Sequence, residues 1–151
     1  MSFTPLVPNL IIDAQPMLAA IGDAIAANSV ILTAQAYVGQ GVAPDPTTPA
    51  DWMKPRISLA VPSIVPDRTY DDNALRMLVD IAVTTQGRDT TAVMALAVAV
   101  QDVALHALTA PVGFTLYDVT ILGMLERDPP PIADQFVRVR VVNTKIWFTK
   151  N

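Results

Sequence analysis

Ala74–Leu108 reads ALRMLVDIAVTTQGRDTTAVMALAVAVQDVALHAL, and the way its two halves divide decides the fold. In the first half Leu75, Met77, Val79, Ile81 and Val83 recur at every second position, the period of a strand with one buried face. A helix competes, because Ala74, Met77, Leu78 and Ile81 also fit a helical period; the β-rich VDIAVTT and the turn pair Asp72-Asn73 favour the strand. Gly87 then supplies a turn, and Asp89 or Thr90 is placed to cap the free amides of the next element. From Thr91 to Leu108 there is no proline or glycine. Val93, Leu96, Ala97, Val100, Val103, Ala104 and Ala107 make one apolar helical face wide enough to cover a sheet.

Working outward from this pair, Arg56–Val65 alternates as a strand through Ile57, Leu59 and Val61, and VPSIVPDRTYDDN supplies turn residues for an arm over 62–73. Strand, arm and returning strand form a hairpin with a long tip. Gly39–Pro55 holds two glycines and four prolines and is expected to be a long loop, 39–55. It carries Trp52 and Met53, with Trp52 either folded back onto the core or exposed to a partner. Asn9–Asn28 is helical by spacing, starting at Asn9 or, because of Pro16, nearer Asp13; Ser29–Val38 reads as a first strand. Downstream, Phe114–Leu125 is a strand with Tyr117, Val119 and Ile121 on one face. ERDPPPIA is a proline-stiffened connector over 126–133, and a long closing strand follows in which Asn143 marks a bulge. The expectation is a single α+β domain over 1–151: a mixed or antiparallel sheet of about four to five strands, two helices packed on one face, and long loops.

The 151 residues are 52% hydrophobic and 16% charged, too apolar for a disordered tail. No cysteine and a single histidine exclude a disulfide scaffold, a thiolate metal site and a His-rich zinc cluster. The most apolar window, Leu6–Leu32, fails as a membrane span because Asp13, Pro16, Gly22 and Asp23 interrupt it. No Lys or Arg precedes Leu10, so a secretory signal is not expected, and assembly in a cytoplasm is. The net charge is −4, yet Gln135–Asn151 carries Arg138, Arg140, Lys145 and Lys150 and no acid. Two readings follow: an edge strand protected by solvated charge, or a surface complementary to an acidic neighbour.

Chemistry-bearing patterns are few. His106 lies four residues after Asp102 on the second long helix, but no Gly-x-Ser-x-Gly elbow accompanies it, and the expectation is no enzyme. Asp67, Asp71 and Asp72 lack the spacing of a calcium loop and read as turn residues. No phosphate-cradling glycine motif is present, so no cofactor is expected. Arg138, Arg140, Trp147 and Lys150 alone combine bases with an aromatic; in an acidic chain they suit a protein interface better than nucleic acid.

The order of these segments, with PRISLAV, LRMLVDIAVTTQ, the GRDT junction, TTAVMALAVAVQDVALHAL and the closing RVRVVN, resembles the tail terminator (tail completion) proteins of long-tailed bacteriophages. The resemblance is one of pattern and spans roughly Asn9–Phe148. It implies a structural virion protein of the tail, a homohexameric ring on the last ring of the tail tube. Such a ring stops tube growth and joins the tail to the head–tail connector, with DNA at most passing through its lumen and no membrane involved. Partners would be the chain itself, the tube protein and the connector or neck protein. The residues expected at these contacts are Trp52, Met53, Arg56, Arg68, Tyr70, Arg127, Arg138, Arg140, Lys145 and Trp147. Other assignments on the same pattern are a different neck or head-completion part, a tube-like subunit, or a small enzyme using His106.

Overall fold

A computed structural model describes residues 13–41, 54–66 and 74–151. The elements in chain order are α1 (Gln15–Ala26), α2 (Ser29–Thr33), β1 (Tyr37–Gln40), β2 (Arg56–Pro66), β3 (Ala74–Gln86), α3 (Thr91–Asp102, running on as a π-helical turn Val103–Ala107), β4 (Phe114–Glu126) and β5 (Val137–Lys150). The strands form one mixed sheet in the order β1-β2-β3-β5-β4, antiparallel except where β1 runs parallel to β2. This is the expected α+β class.

The strand reading of Ala74–Gln86 holds for a physical reason visible across the sheet. Met77 pairs with Ile146, Val79 with Thr144, and Ile81 with both Leu59 and Val142, so each inward residue meets an inward partner. Leu75, Met77, Val79, Ile81 and Val83 are all buried, while Arg76 on the other face is exposed. Against this face pack Met17, Ile21 and Ile25 of α1, Ile31 of α2, and Val93, Leu96, Ala97 and Val100 of α3, in one continuous core. The helices lie on one side of the sheet, and among the described residues its other face carries no helix layer.

Helix starts follow local chemistry. α1 begins at Gln15 with Pro16 in its first turn, where a missing N–H costs nothing, and the Asp13 carboxylate accepts the Gln15 N–H at 2.9 Å. The start near Asp13 is therefore the correct alternative. Before α3, Asp89 accepts both the N–H and the hydroxyl of Thr91, at 2.9 and 2.8 Å. Thr90 makes no side-chain cap.

Six expectations need correction. Gly39 and Gln40 pair within β1, so the loop expected over 39–55 starts after them. Tyr117 does not share a face with Val119 and Ile121: it packs on Trp147 of the other sheet face, while Val119 and Ile121 pair with the inward Ile146 and Thr144. Ser29–Val38 is not one strand: Asn28 accepts the N–H groups of Val30 and Ile31, at 2.9 and 3.4 Å, and starts the short helix α2. Strand pairing begins only at Tyr37, after Gln35 turns the chain at φ +55°. The arm expected from 62 is strand as far as Pro66. β2 slips register between Ala60 and Ser63, so Val61 and Pro62 sit in a bulge where proline's missing donor is tolerated. Asn143 is not bulged, because β3 and β5 pair without a slip. The extra residues belong to β4, at Tyr117 and Leu122. Lastly, the closing strand is no edge: β5 lies between β3 and β4, and the long edge strand is β4.

Candidate functional site

The basic closing strand folds in a way its alternation did not reveal. Arg140 pairs with Val83 and Arg138 with Thr85, so both arginines project on the helix-bearing side, and Val139 and Val141 lie on the open face. Arg140 is 6% exposed. A buried guanidinium needs a counter-charge, and Asp128 of the proline connector supplies it. Asp128 Oδ1 accepts Arg140 Nη1 at 2.8 Å and the Val139 N–H at 2.7 Å, and Oδ2 accepts Arg138 Nη1 at 3.1 Å. Glu126 adds a longer contact to Arg140, 3.7 Å. The acidic neighbour sought by these bases is thus in the same chain.

Burial acts most strongly on the Asp128 carboxyl, against its charged form. The Val139 amide and the two guanidinium groups together outweigh it, and the group ionises below its usual carboxylate value. Asp89 is held low chiefly by the Thr91 N–H.

This cluster pins both ends of the connector. Arg138 Nε and Nη2 donate to the Arg88 carbonyl at 3.2 and 2.9 Å, and the Gly87 N–H donates to the Phe136 carbonyl at 2.8 Å. The Phe136 ring lies under the Arg88 guanidinium, 4.8 Å from its centroid, with Arg138 5.7 Å away. The GRDT junction therefore anchors the connector as well as starting α3. Between the pinned ends, Pro129–Gln135 is exposed. Ile132 and Gln135 exchange backbone hydrogen bonds of 3.3 and 2.9 Å around a two-residue turn, with Ala133 at φ +49° and Asp134 at +61°. Left-handed backbone at two residues with side chains costs about 1 kcal/mol or more each. The turn holds Ile132 outward, 78% exposed.

Of the residues expected at contacts, Trp52, Met53, Arg68 and Tyr70 lie outside the described residues. The structure divides the rest between two places. Arg127, exposed, with Arg138 and Arg140, belongs to the connector end; Arg127 donates its backbone N–H to Val139. Lys145 and Trp147 are half-buried on the open sheet face. There Trp147 packs against Tyr117, centroids 5.2 Å apart, with the Arg76 guanidinium 5.8 Å above its ring. Arg56 begins β2 between Tyr37 and Thr84. Sequence reasoning missed Asp128, Phe136 and Ile132. Writing β4 and β5 as a pair, which sets Glu126 against Arg140, was the signal that would have found the carboxylates.

His106 lies exposed in the π-helical turn, and among the described residues no hydrogen bond or ion pair joins it to Asp102. Among the described residues no three His, Cys, Asp or Glu side chains gather to hold a metal, and no helix is long and apolar enough to cross a membrane.

On comparison with known proteins, no family model matches the chain. No curated protein matches its sequence. Its fold is shared with a solved chain from the virion of a native gene transfer agent particle, at a TM-score of 0.60 and 18% sequence identity. The likeness covers 90% of this chain and 96% of that one.

Proposed function

We propose that the chain is a structural protein of a phage-like virion and that, within the tail, it is the terminator: a hexameric ring seated on the end of the tail tube. The observation that carries the reading is the near full-length fold likeness to a chain of a virion particle. The order and character of its segments, which resemble tail terminators, narrow it to the tube end. A surface built for contact suits the same role. Beside the exposed connector tip, the edge strand β4 bears Tyr117, Leu122 and Leu125, and the outer side of α3 bears Met94, Val98 and Leu105, all exposed. The ring stops tube polymerisation by occupying the last tube surface and offers its other face to the connector or neck protein. It works without a cofactor, and DNA at most passes through its lumen.

The experiment is polymerisation of purified tail tube subunits with increasing amounts of the chain, with tube lengths measured by electron microscopy. Shorter tubes capped at one end are expected. Unchanged lengths and no end density would overturn the terminator role, and density along the tube wall would make the chain a different tail part.

A further inference from the structure

The exposed connector tip and an apolar groove lie toward opposite edges of the sheet. The tip, Pro129–Gln135, projects from the β4–β5 side, where Asp128, Arg138 and the Arg88 carbonyl hold its base rigid. The groove, about 460 Å³, lies on the β1–β2 side, between the start of α1 and the sheet. Leu18, Leu59, Val61, Ile64 and Met77 line it, and Asp13 stands at its rim. That volume is in the range that accepts a few apolar side chains. Charge matches as well as shape: exposed Arg127 stands at the base of the tip, and exposed Asp13 at the mouth of the groove.

We infer that the tip of one copy seats in the groove of a second copy, with Ile132 and its preceding prolines packing on the accessible Val61 and Ile64 above buried Leu59, and Arg127 facing the second copy's Asp13. The contact is head-to-tail: each copy presents a tip on one side and a groove on the other, so repetition generates a ring when the rotation closes. The strained turn then has a use, because a preformed tip loses little conformational freedom on docking. The inference rests on the ring-subunit reading and specifies its subunit contact.

The chain has no cysteine, so introduced thiols report the contact without background. Full-length I132C, I64C and the I132C/I64C double variant are assembled, alone or on tube ends, sized by light scattering, oxidised, and run on a non-reducing gel. A ladder of linked chains from the double variant alone is expected. An oligomer that gives no ladder overturns the tip-in-groove contact and leaves the ring reading standing, as does I132C alone linking into dimers. Absence of any oligomer, free or on tubes, overturns both. I132D tests the same contact without oxidation. It should raise the dissociation constant of the oligomer by about tenfold or more with unchanged thermal unfolding, as expected for a central anchor. An unchanged constant contradicts the contact. R127E and D13K should each weaken assembly and together restore it; no rescue contradicts the charge pairing.

Discussion

Asp128 is one carboxylate serving three donors, and its removal separates a structural account of the arginines from a surface one. In D128N the shape remains, but Arg140, 6% exposed, keeps only the distant Glu126 as a counter-charge beside its hydrogen bond to the Val139 carbonyl. Breaking a buried pair from one side costs about 3 kcal/mol, and urea unfolding at neutral pH should show a loss of that order. The pH dependence has a fixed sign. The folded-state carboxyl ionises below its ordinary value of 3.8, so the stability it adds is complete above that value and is lost as pH falls through the lower folded one. The gap between wild type and D128N should therefore close on acidification below pH 3.8; a gap that stays constant as the pH falls below that value would contradict the assignment. The residues of this cluster were half legible. Arg138 and Arg140 stand out in any reading of the last strand. Their partner lies ten and twelve positions away in a proline run, where local periodicity carries no information about pairing.

At the scale of elements, β3 and α3 were readable because each repeats one period over many residues against a single buried face. Ser29–Thr33 was misread because its β-branched run imitates a strand, while one side chain, Asn28, caps two amides and starts a helix. N28A should cost about 1 kcal/mol in denaturant unfolding, the usual worth of an N-cap, and N28D should retain most of it. Equal stability of N28A and wild type would show that packing of Ile31 alone sets α2. The bulges of β4 escaped notice for a different reason: a slip of register leaves composition unchanged and shows only against a paired strand. They also disturb the regular edge that β4 would otherwise present to another chain.

At the scale of the whole molecule, helices cover one sheet face, and core substitutions test that layer. Ile81 is fully buried where β2, β3 and β5 meet; I81A should cost about 2–5 kcal/mol in unfolding free energy, whereas I132A at the exposed tip should cost almost nothing. The contrast separates residues kept for folding from those free for contact. The fold class was legible in the chain, since burial pattern and turn chemistry are local. The contact surface was legible only in part, because exposure of Ile132 depends on a turn and a clamp that come from three separate segments. The ring claim is tested most directly by native mass spectrometry of the chain, alone and mixed with tail tube subunits. The account predicts a closed hexamer, free or tube-bound; a chain that stays monomeric in both samples would contradict it.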